Sequence, residues 1–140
     1  MLKGIPECIS PELLSAMMRM GHGDELVLAD GDFPAETYGK MVIRADGLKI
    51  DDLLDAVLTF FPLDSYVKKP VMIMAPVGCA KEPPAWKEFR KIISKYYKCF
   101  EEFDYIERFD FYKQSEKAFA VVITGEPDGN VILRKGVVSE

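Results

Sequence analysis

The chain of 140 residues holds one histidine, His22, in the stretch "GHGDE" with a glycine on either side of it. An imidazole titrates near pH 6.5 and can give and take protons under neutral conditions. Further along, Asp30 closes the apolar run "ELVLAD", Glu25 to Asp30, which reads as a buried strand. Ligands of α/β sheets gather at the carboxyl ends of strands. A histidine and a carboxylate so placed can carry general acid–base chemistry. Arg108, in "YIERF", adds a guanidinium able to hold hydroxyls or a carboxylate. Each residue also has a plainer reading. His22 can bond the last carbonyls of a preceding helix, Asp30 can turn the following loop, and Arg108 can pair with an acidic neighbour. Asp24 and Asp32 read as turn residues, as does "RADG", Arg44 to Gly47.

Several chemistries are missing from the chain. No GxGxxG, Walker A or GxSxG pattern is present, and "GHGDE" precedes a strand where a phosphate loop would precede a helix. The three cysteines, Cys8, Cys79 and Cys99, are widely spaced, with no CxxC or CxxH among them. They read as free thiols in a reducing compartment, and a zinc site is not expected. A formal charge of −5 argues against an electrostatic grip on nucleic acid. Proton transfer on a small polar substrate is what remains.

The elements that must position these groups are readable in outline. Ser10, Pro11 and Glu12 open a helix whose apolar face is Leu13, Leu14, Met17, Met18 and Met20, and which Gly21 or Gly23 ends. The apolar stripes with Met17, Met18, Met72 and Met74 are assigned to the core. "GDFPAETYG" reads as a loop and "KMVIRA" as a short strand. "KIDDLLDAVLTFF" reads as a helix capped by Asp51, and "PVMIMAPV" as a strand. "PAWKEFRKIISKYYK" is a long helix, "YIERF" a strand and "DFYKQSEKA" a short helix. The runs "FAVVITG" and "NVILRKGVV" lie too close together for a crossover helix and are expected to pair as a C-terminal hairpin. The fold class is α/β: one domain over residues 1–140, with a mostly parallel sheet flanked by helices. No signal peptide or membrane-length apolar run is seen, so a cytoplasmic protein is expected.

At "GHGDELVLADGDFPA" the sequence resembles the fucose mutarotase and ribose pyranase family. The resemblance continues through "VIRADGLKIDDLL", "FFPLDSY", "ERFDFYKQSEKAFAVVITGE" and "GNVILRKGV" and covers nearly the whole chain, on the fucose mutarotase branch. It implies an α/β subunit in a ring-shaped homo-oligomer, commonly a decamer, with each sugar site near a subunit boundary. It implies interconversion of the α and β anomers of a free monosaccharide without a cofactor or metal. His22 matches the family's proton donor, and Asp30 and Arg108 match residues that contact the sugar. The family's Tyr-Gly-Asn triplet reaches the sugar as well. Gly129 and Asn130 match it, but Asp128 stands in the tyrosine's place and the turn is shorter. Tyr112 and Tyr38 are the candidates to replace that tyrosine. The expectation is an L-fucose mutarotase with His22 catalytic and Asp30, Arg108, Asp128, Gly129 and Asn130 at the sugar. Its partners are the monosaccharide and its own copies, with no nucleic acid or membrane. A non-catalytic monosaccharide-binding protein and a ribose-type pyranase are the alternatives.

Overall fold

The computed structural model describes residues 1–139. Ser10 starts the first helix, α1 (Pro11–Arg19), by accepting the Leu13 N–H on its side chain, with Pro11 at the first helical position. The helix stops at Met20, whose backbone is extended. Of the two candidate glycines, Gly23 takes the conformation that other residues resist, with φ +88°. Leu13, Ala16 and Met17 form the buried face. Met18 was expected in the core and is instead 79% exposed. It lies one helical step past Met17, beyond the stripe that Leu13, Met17 and Met20 already complete.

Among the described residues, six strands form one sheet: β1 (Glu25–Ala29), β2 (Val42–Ala45), β3 (Val71–Met74), β4 (Asp104–Ile106), β5 (Ala120–Thr124) and β6 (Val131–Arg134). Their order is β2-β5-β1-β6-β3-β4. The pairs β2/β5, β1/β5 and β3/β4 are parallel, while β6 runs antiparallel to both β1 and β3. The sheet is therefore mixed, with β6 the single reversed strand.

The expected C-terminal hairpin does not form. β1 lies between β5 and β6, and both strands pair with it. Crossing one intervening strand means spanning two inter-strand spacings, about 10 Å. The link through "GEPDG" is long enough to do so. The Gly31 N–H donates to the Glu126 carbonyl and ties the link across the end of β1.

Helices cover both faces of the sheet. Leu26 and Leu28 of β1 pack with the core of α1, α3 (Ile50–Leu58) and α4 (Ala85–Tyr96). Val27 and Ala29 face the other way, toward Phe111 of α5 (Arg108–Lys117) and Ala35 of α2 (Ala35–Tyr38). This explains why β5 reads as an unbroken apolar run: all five of its residues are buried. Trp86, Phe89, Phe103 and Phe111 are the largest fully buried side chains. Burying each contributes about 1.5–3 kcal/mol.

Three local expectations change. The short helix α2 occupies a segment expected to be loop, and four residues are too few to show a helical period. Helix α3 begins at Ile50, with Lys49 at the cap position instead of Asp51. The Ile50 N–H is instead taken by the Glu126 carboxylate, from a distant part of the chain. Arg108 does not lie in a strand; it is the first residue of α5, where the Glu107 carboxylate accepts the Phe109 and Asp110 N–H groups. Among the described residues, no helix is long and apolar enough to cross a membrane. Cys8, Cys79 and Cys99 are free thiols.

Candidate functional site

The sequence-derived site residues fall on two opposite edges of the sheet. His22 lies at the amino end of β1. Its Nε2 is 3.0 Å from Asp64 Oδ1. Asp64, on the segment after α3, is 1% exposed. It also receives the Tyr66 N–H at 3.0 Å and Arg134 Nε at 2.9 Å. Burial opposes ionisation of Asp64, but the bonds from His22, Tyr66 and Arg134 outweigh it and hold the carboxyl below the usual range. The Tyr66 ring packs edge-on against the imidazole, with centroids 4.9 Å apart.

A second, partly buried carboxylate, Glu25, adjoins this cluster. Gln114 Nε2 donates to both Glu25 oxygens, at 3.1 and 3.0 Å, and Arg134 Nη1 lies 3.9 Å from Glu25. Burial nevertheless raises the Glu25 pKa above its ordinary value. The glycine after His22 has a reason in this geometry. A Cβ on Gly23 would meet Arg134 Nη2 at 3.2 Å as well as straining the positive φ.

Asp30 sits at the other end of β1, where it is 8% exposed. Its backbone N–H donates to Asn130 Oδ1 at 2.8 Å, and Asn130 Nδ2 donates back to Asp30 Oδ2 at 2.9 Å. The Gly129 and Asp32 N–H groups donate to the same carboxylate at 3.3 and 3.1 Å. An ionised carboxylate offers about four acceptor positions, so capacity remains for a ligand hydroxyl. Burial raises the Asp30 pKa, the bonds from Gly129, Asn130 and Asp32 oppose it, and the nearby Asp128 charge adds to the rise. Asp128 itself is exposed, on the turn that crosses β1. The crossover that replaces the expected hairpin is what sets Asn130 directly against Asp30.

Gly129 is buried, with φ +151°, and a Cβ there would meet Phe89 Cε2 at 3.2 Å. Gly129→Ala is expected to cost about 1–3 kcal/mol of stability by straining this turn. A drop in the thermal midpoint would register the strain, and an unchanged midpoint would show that the turn relaxes freely.

Arg108 is exposed on the same edge and makes no ion pair among the described residues. Its Nε donates to Tyr112 Oη at 2.9 Å, and its guanidinium lies 5.2 Å from the Phe109 ring centroid. Tyr112 stacks on Tyr38 with centroids 4.8 Å apart and meets Phe33 edge-on at 5.4 Å. Both tyrosines therefore stand beside Arg108. A cleft of about 430 Å³ opens here, lined by residues that include Ala75, Val77, Tyr105, Arg108 and Phe109. Its size suits a small molecule.

The structure thus brings Asp30, Gly129 and Asn130 together, with Arg108 on the same edge. It does not bring His22 to them. β1 separates His22 from Asp30 by on the order of 20 Å. Asp30 therefore cannot orient the imidazole within one subunit; Asp64 occupies that place.

The chain matches the RbsD / FucU transport protein family over residues 3–138. The chain belongs to this family. A fucose mutarotase of Homo sapiens is 52% identical over 147 aligned positions, covering 99% of this chain and 95% of the human one. The structure of a fucose mutarotase of Streptococcus pneumoniae in complex with L-fucose is 43% identical. It covers 99% of this chain and 100% of its own, with a TM-score of 0.92. FucU of Bifidobacterium longum is 45% identical over 98% of this chain and 100% of its own, with a TM-score of 0.93. The mixed sheet flanked by helices is thus the RbsD / FucU fold.

Asp64, Tyr66, Arg134 and Glu126 are the site-supporting residues that sequence reasoning missed. Asp64 lies in "FFPLDSY", a segment used only for its resemblance. An acidic residue following an apolar run was its single local signal, and it could equally have marked a turn.

Proposed function

We propose that this protein is a mutarotase that interconverts the α and β anomers of free L-fucose. The carrying observation is the near-complete correspondence with a fucose-complexed mutarotase, at a TM-score of 0.92 and 43% identity. The human relative at 52% identity points to the same activity. Mutarotation opens the pyranose ring by moving one proton from the anomeric hydroxyl and one to the ring oxygen. The aldehyde carbon then turns, and the steps reverse. His22 is the proton-transfer group in this reading. Asp30, Arg108, Gly129 and Asn130 hold the hydroxyls, Asp128 borders them, and Tyr112 and Tyr38 stand in for the missing tyrosine. No cofactor or metal enters the reaction.

The separation of His22 from Asp30 supports a site shared between copies. The amino edge of one subunit carries His22 and Tyr66, which is 75% exposed. The carboxyl edge carries Arg108 with Phe109 and Val77, which are 59% and 63% exposed. Docking one edge on the other joins the two halves of the site, and a contact of this heterologous kind closes into a ring. The ring we propose is the decamer common in the family. The free thiols support a cytoplasmic setting.

Saturation-difference proton NMR tests the activity, with L-fucose, D-galactose and D-ribose in parallel. Protein-dependent transfer between the α and β anomeric signals of L-fucose is expected. Transfer with D-ribose alone would make it a ribose-type pyranase. Saturable binding without transfer would make it a sugar-binding protein.

A further inference from the structure

We infer that Asp64 holds a proton on His22 Nε2, so that Nδ1 is the nitrogen that exchanges protons with the sugar. Asp64 is on this view a positioning residue for the mutarotase reaction, and the inference rests on that reading of function. It follows from the hydrogen-bond inventory. Arg134 Nε and the Tyr66 N–H both donate to the Asp64 carboxylate, which suits its ionised form. An ionised carboxylate can only accept. The hydrogen in the 3.0 Å His22–Asp64 contact therefore belongs to Nε2. A neutral imidazole with its hydrogen on Nε2 carries its lone pair on Nδ1.

The surroundings favour the same nitrogen. Nδ1 has no protein partner among the described residues, and the side chain is 38% exposed. Asp24, two residues after His22, is engaged by the Gly21 N–H at 2.7 Å. Glu25, at the start of β1, is held by Gln114 of α5 and approached by Arg134 of β6. The Tyr66 ring braces the imidazole edge-on. Asp64 is the only carboxylate in contact with the imidazole among the described residues.

The proton movements balance. Protonated His22 gives its Nδ1 proton to the ring oxygen as the bond from that oxygen to the anomeric carbon breaks. The bonding pair stays on the ring oxygen. The anomeric hydroxyl loses its proton to water or a carboxylate, and a carbon–oxygen double bond forms. When the ring closes on either face of the carbonyl, neutral His22, still holding its Nε2 hydrogen on Asp64, takes the first proton back, and the water or carboxylate returns the second to the anomeric oxygen.

Because the chain has one histidine, its imidazole nitrogens need no assignment among competitors. Two-bond proton–nitrogen correlation NMR on the assembled wild-type protein, at a pH where the ring is neutral, reads the tautomer. Hydrogen on Nε2 is expected, and hydrogen on Nδ1 overturns the inference. Asp64→Asn preserves shape but offers an amide N–H to the ring. The expected result is a fall in kcat for anomer exchange of about 10²-fold or more with KM little changed. An unchanged kcat in the folded variant overturns the positioning role. Should the variant fail to fold, the wild-type tautomer decides alone. Absence of wild-type exchange defeats the mutarotase reading itself, whereas exchange with hydrogen on Nδ1 defeats only this inference.

Discussion

His22→Ala is expected to slow anomer exchange by about 10²–10⁴-fold, the contribution of one well-placed acid–base group. The fold should survive the change. The imidazole packs on no core cluster, and Asp64 keeps its bonds from Arg134 and the Tyr66 N–H after the ring is gone. Losing one hydrogen bond to the buried Asp64 carboxylate costs about 1.5–3 kcal/mol. The variant should therefore melt cooperatively, somewhat below the wild type, and still bind sugar through Asp30, Arg108 and Asn130. Exchange measured by saturation-difference NMR, beside a thermal melt, separates the two effects. Full activity in the folded variant would remove His22 from the mechanism. Activity lost together with the cooperative melt would mean that His22 serves the fold.

Mixing two inactive variants should restore activity. In a shared site, His22 comes from one subunit and Asp30 from another. Rings of His22→Ala subunits have no working site, and neither do rings of Asp30→Ala subunits. Random mixed rings contain sites in which the intact His22 edge meets the intact Asp30 edge. With equal amounts of the variants, roughly a quarter of the sites are whole, given one such edge contact per site. Co-expression of the two variants, with exchange measured against each alone, tests this. Recovery near that fraction is the expected result. No recovery in a confirmed mixed assembly would place the whole site within one subunit, against the separation that β1 imposes.

The acid–base reading of the site was written in residue types. A lone histidine between glycines, an aspartate closing an apolar run and an arginine in an aromatic segment restrict the chemistry wherever the chain takes them. The elements were legible for a similar reason. Ser10 and Pro11 act within one turn of α1, and the unbroken apolar run of β5 records burial on both faces. Such signals are local, and local sterics and hydrogen bonding respond to them directly.

What the sequence could not show depends on which distant segments meet. The "GEPDG" link suits a tight turn, and only the insertion of β1 between β5 and β6 shows that it crosses a strand. That crossing sets Asn130 against Asp30, and it lets Glu126 cap α3. Nothing local paired Asp64 with His22, because the two lie 42 residues apart in the chain. Arg108 was expected in a strand, but the cap at Glu107 starts a helix where the apolar pattern suggested that strand. The sequence by itself determined the chemical groups, the α/β alternation and the family. The tertiary structure alone decided that Asp64 meets His22 at one end of β1 and Asn130 meets Asp30 at the other. The physical reason is that side-chain type is a local property, while a site is an arrangement in space set by strand order and by the contacts between distant segments.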